Sequence, residues 1–66
     1  MVYKVIELIG TSEEGFSEAV RNALSEAEKS LHGIEYMDVG NARVRVKESK
    51  IVQYEVTVKV AFKIEK

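Results

Sequence analysis

The chain has 66 residues, ten of them basic and eleven acidic, for a formal net charge of −1. That balance creates no field to draw it onto nucleic acid or an anionic membrane, which excludes both as main partners. Cysteine is absent and His32 is the single histidine, so disulfides, thiolate metal sites and a zinc centre of about four ligands are excluded together.

A domain this small buries only roughly 60% of the surface its unfolded chain exposes. With the other staples excluded, self-association is the expected source of further stability. There is no proline, repeat, low-complexity tract or linker, which predicts one domain over residues 1–66. The opening Met1-Val2-Tyr3-Lys4 lacks the apolar stretch and cleavage site of a secretory signal. No segment approaches the roughly 18 apolar residues of a membrane helix, so the expectation is a soluble, cytoplasmic protein.

Val2 to Ile9 is rich in β-branched residues and bounded by Gly10, the pattern of a strand. Ile6 and Leu8 fall on one face and Tyr3, Val5 and Ile9 on the other, so both faces call for cover. Thr11-Ser12-Glu13-Glu14 then reads as a capping box, with Thr11 and Glu14 bonding reciprocally and Ser12 as the competing cap. Phe16, Ala19, Val20, Ala23, Leu24, Ala27 and Leu31 recur at helical spacing, the stripe of an amphipathic helix lying on a sheet. Gly33 is the expected stop, which predicts a helix from about Ser12 to His32.

The next segment, Ile34 to Val46, changes phase. Met37 and Val39 are apolar at odd positions, whereas Ala42, Val44 and Val46 are apolar at even ones. A bulge near Gly40-Asn41 reconciles the halves, because one extra residue switches which side chains face inward. Lys47-Glu48-Ser49-Lys50 is a polar hairpin connection. Val52, Tyr54, Val56, Val58, Val60, Phe62 and Ile64 then alternate with Gln53, Glu55, Thr57, Lys59 and Lys63, which gives a third strand with one apolar face. The fold predicted is α+β, in the order β-α-β-β, with a three-stranded antiparallel sheet curved around one helix.

If Met37 and Val39 face the helix, Tyr36 and Asp38 face away from it, and pleating puts Glu55 on that same outer surface. The ordinary reading makes Tyr36 a subunit contact and Glu55 a solvated strand residue. Arg43, Arg45 and Lys47 form a basic stripe whose ordinary reading is a solvated or ion-paired edge. No glycine-rich phosphate loop, Cys/His pairing or hydroxyl triad is present, so no enzyme is expected.

Two stretches carry a family resemblance. Val2-Tyr3-Lys4-Val5-Ile6-Glu7-Leu8-Ile9-Gly10-Thr11-Ser12-Glu13-Glu14-Gly15-Phe16 resembles the opening of the dodecins, in which a short strand runs into a Gly-Thr-Ser helix start. Tyr54-Glu55-Val56-Thr57-Val58-Lys59-Val60-Ala61-Phe62 resembles their closing strand. The likeness covers nearly the whole chain. It implies a hollow homododecamer that stores or buffers flavin, riboflavin or FMN, in pairs stacked between tryptophans of symmetry-related subunits.

Carried over by position, the stacking tryptophan falls on Tyr36 and the amide that meets the flavin's polar edge falls on Glu55. Glu35, Met37 and Arg45 complete the implied cofactor-binding set, and the functional reading of the basic stripe is contact with the phosphate or ribityl part of a flavin nucleotide or with a neighbouring subunit's acids. Both key positions depart from the pattern. A tyrosine ring still stacks, with less area than indole, but an ionised glutamate only accepts hydrogen bonds where an amide also donates. The alternative the resemblance implies is a flavin-free shell, structural or calcium-binding, with Glu55, Asp38 and Glu35 as hard oxygen ligands.

Overall fold

The computed structural model describes residues 1–64. Strand β1 (Val2–Ser12) is followed by helix α1 (Phe16–Glu28) and by strands β2 (Ile34–Lys47) and β3 (Lys50–Ile64). The three strands form one antiparallel sheet in the order β1-β3-β2, so the most regularly alternating segment lies in the middle. No helix among the described residues is long and apolar enough to cross a membrane.

The helix lies on the sheet through its alanines. Ala19, Ala23 and Ala27 are buried against Val56, Val58 and Val60, with Ile6, Leu8, Val20, Leu31, Ile34 and Met37 packed around them. Small side chains on one layer and β-branched ones on the other let the two approach closely. The closest approach is at Gly10, where an added Cβ would stand 2.1 Å from the Ala19 carbonyl oxygen. Only glycine leaves room for the helix backbone there.

The helix is shorter than its apolar stripe predicts, and the physical reason lies at both ends. Thr11 and Ser12 remain in β1, paired with Glu55 and Tyr54, so neither caps the helix and the predicted box does not form. Instead Ser12 Oγ accepts from the Glu14 backbone N–H at 2.9 Å, a local turn, and Gly15 is the cap residue, its carbonyl accepting from Ala19 at 3.1 Å. At the other end the amides of Ser30 and Leu31 both turn back to the Ala27 carbonyl. Gly33 adopts φ 73°, a left-handed conformation suited to glycine, and its carbonyl accepts from Lys63, which starts β2 alongside β3.

The bulge expected at Gly40-Asn41 is present: Val39 pairs with Val58 and Ala42 with Val56, leaving two residues opposite Thr57. Two further irregularities, between Ile34 and Tyr36 and between Arg45 and Val46, were not legible as phase changes. At the hairpin, Glu48 and Ser49 both take positive φ, 53° and 66°, as a two-residue turn matched to strand twist requires.

Candidate functional site

The register decides which candidates share a surface. Tyr36 pairs with Ala61, and Met37 pairs with Val60. Met37 therefore points to the helix side, where it packs against the core, and Tyr36 points outward. Past the bulge, Arg43 pairs with Glu55 and Arg45 with Gln53, so these two arginines and Glu55 share Tyr36's outer face. The register shift after Arg45 turns Val46 outward and sets Lys47, opposite Lys50, on the helix side, so the predicted stripe loses Lys47. Glu35 sits at the irregularity before Tyr36, with a carboxylate oxygen 3.9 Å from Lys63 Nζ.

Around Tyr36 the outer face is aromatic and apolar. The Tyr36 and Tyr3 rings stand 6.4 Å apart at 37°. Beneath them Ala61, in register with Val5 on one side and Tyr36 on the other, is fully buried. Tyr36 itself is 52% exposed, and Tyr3, Val5 and Ile9 are exposed as well. A half-open aromatic ring beside the small Ala61 offers a flat surface to a flat ligand.

Glu55 is a different environment from the solvated one its alternation suggests. Its side chain is only 9% exposed, against 61% for Arg45, whose Nε donates to Glu55 Oε2 at 2.7 Å. That short charge-assisted bond lets a carboxylate survive burial. It also holds the Arg45 guanidinium above its ordinary value, first through the hydrogen bond and then through the charge of Glu55. The pair is the ion-paired version of the basic stripe, and sequence reasoning missed the partner because cross-strand neighbours follow from register alone.

Tyr36 and Glu55 do not come together within one chain. They are separated by the length of β3 from Ala61 to Glu55, about 20 Å at about 3.3 Å per residue. A small ligand touching both would take one from each of two copies. Between them lies an open cleft of about 350 Å³ lined by Glu7, Asp38, Gly40, Asn41, Thr57 and Lys59. It places Asp38 away from both Glu35 and Glu55, and no group of three or more metal-ligating side chains forms among the described residues.

The dodecin family model matches residues 2–65. The chain belongs to the dodecin family. A curated dodecin of Thermus thermophilus is 39% identical over 64 residues, 97% of this chain and 93% of the relative. Among solved structures, the dodecin of Streptomyces coelicolor superposes with a TM-score of 0.95 at 31% identity, covering 98% of this chain and 93% of that one. The calcium dodecin of Mycobacterium tuberculosis, described as a calcium-chelating antigen, superposes at 0.87 with 31% identity over 98% of this chain and 93% of its own. The β-α-β-β architecture is thus that of the dodecins.

Proposed function

We propose that this dodecin is a flavin-binding storage or buffering protein, a homododecamer in the cytoplasm with no catalytic role. Tyr36 is the stacking platform, Glu35 adjoins it along β2, and Glu55 with Arg45 meets the ligand's polar end. Met37, expected in the same set, packs on the helix side and supports the strand from within. The observation that carries this reading is the half-exposed Tyr36 ring, set beside Tyr3 and Val5 on the outer face of the sheet, at the position the resemblance gives the stacking residue.

The separation of Tyr36 from Glu55 along β3 supports a pocket completed by a second copy. So does the uncovered surface of Tyr3, Val5 and Ile9, since apolar area left open by one copy is what association buries. Tyr36 would exclude water from one face of the bound ring and donate an electron to it after excitation. A bound flavin supplies the excited state that such contact quenches. Keeping free or excited flavin from reacting elsewhere is the service this chemistry performs.

Titrating riboflavin into the purified protein and following flavin emission tests the reading. Saturable quenching at micromolar ligand supports it, and unchanged emission overturns it. Sedimentation of the same sample checks assembly, where a stable monomer contradicts the twelve-subunit shell. A second reading, a calcium-binding shell, is favoured by the likeness to the calcium dodecin. It requires carboxylates from several copies, and calorimetric titration with calcium separates it from the first.

A further inference from the structure

The Glu55 carboxylate is engaged on one side only. Oε2 takes the Arg45 bond, no hydrogen bond among the described residues reaches Oε1, and no buried side-chain oxygen or nitrogen among them lacks a partner. Oε1 therefore still meets solvent, on a side chain that is otherwise buried. On the cation, only Nε is used among the described residues, which leaves the N–H groups of both Nη atoms open to a further acceptor, on a side chain that is 61% exposed.

We propose that Arg45 and Glu55 form one recognition unit for an imide edge, an N–H flanked by two carbonyls, with Glu55 Oε1 accepting from the N–H and Arg45 Nη donating to a carbonyl. The inference rests on the flavin reading, because the flavin ring carries such an edge. A lone carboxylate fails at this task in two ways: it has no proton to donate, and its charge repels the flanking carbonyl oxygens. A guanidinium bonded to it at 2.7 Å removes both faults. It brings the local charge close to zero and sets donors beside the remaining acceptor, so that the pair offers what a neutral amide offers from a single side chain. Nε bonding fixes the fork in direction, which a lysine ammonium would not do.

A double-mutant cycle read by riboflavin quenching tests the unit, with sedimentation and thermal melting on every variant to show that each assembles. Arg45→Ala is expected to weaken riboflavin binding by about tenfold to a hundredfold, the loss that follows when a closed polar contact is left unmade. In a Glu55→Gln background the amide supplies both functions alone, so the same Arg45→Ala change is expected to matter less than about twofold, a strongly non-additive cycle.

The unaltered protein gives a second readout that no folding defect can blur: 3-methyllumiflavin, which lacks the imide N–H, is expected to bind about tenfold more weakly than lumiflavin. Equal binding of the two probes, or equal effects of Arg45→Ala in both backgrounds, would each overturn the recognition unit and leave the flavin reading standing. If the unaltered protein does not quench riboflavin, whether or not Glu55→Gln does, the flavin reading itself falls and takes the unit with it.

Discussion

The half of the sheet beneath the helix and the arm that β2 and β3 extend beyond it follow similar alternating patterns and meet different fates. Under the helix, Val56, Val58 and Val60 are buried against Ala19, Ala23 and Ala27. The edge-on contact of Phe16 with Tyr54, ring centroids 5.1 Å apart, marks where the helix begins and its cover ends. In the arm, Val44, Val46, Ile51 and Val52 are all exposed, and the chain stretches to 51 Å in its longest dimension. Alternation thus states which side chains want burial, and the length of the helix decides which of them obtain it within one copy. The helix half holds the subunit together; the arm is left for whatever the subunit joins.

The largest effect should come from the helix half. Gly10→Ala forces a side chain against the Ala19 carbonyl and the Ala23 Cβ, and helix backbone moves less readily than a flexible side chain. A loss of about 3 kcal/mol is expected by chemical denaturation. Val58→Ala, which empties space at a fully buried position, is expected to cost about 2 kcal/mol in the same measurement.

Serine at both Val46 and Ile51 should invert the pattern. Intrinsic subunit stability is expected to change by less than about 0.5 kcal/mol, as for exposed sites, while sedimentation shifts toward smaller species. A large loss of subunit stability without change in assembly would show that the arm is a core and erase the contrast.

At the tip of the arm, Glu48→Asn with Ser49→Gly replaces two residues held at positive φ by the pair that favours such a turn. A gain of about 1 kcal/mol is expected, read as a higher Tm. The smallest effect belongs to the helix surface, where the Glu18–Arg21 pair at 3.0 Å is largely exposed. Glu18→Ala is expected to shift stability by no more than about 0.5 kcal/mol.

Much of this architecture was legible in the sequence, for reasons of period. The alternation of β3, the three-and-four spacing of the helix stripe and the phase change before Ala42 are all local, and each appears in the structure. The helix termini were less legible because Thr11 and Ser12 suit a cap and a strand alike, and pairing with Glu55 and Tyr54 decides between them. In the candidate site, the outward position of Tyr36 follows from alternation. The Arg45–Glu55 bond and the burial of Glu55 do not, since they depend on which strands are neighbours and in what register. The contact of Tyr3 with Tyr36 was missed for the same reason: β1 and β2 are separated by β3, and only the aromatic content of both outer edges hinted at it.

The two residues opposite Thr57 give β2 something like a reading frame. Tyr36 and Arg45 have opposite parity along the chain, yet both look outward, because Gly40 and Asn41 share one partner. Deleting either would leave each half of the strand chemically unchanged and still set them in conflict. With the helix half held in place, Arg43 and Arg45 would rotate toward the inner side, Ala42 and Val44 would turn out, and Glu55 would lose its cation. The aromatic platform and the charged pair are therefore not independent features that happen to share a surface. One surplus residue keeps them in frame, and a variant of this length minus one would be a different protein on its outer face while composing almost the same sequence.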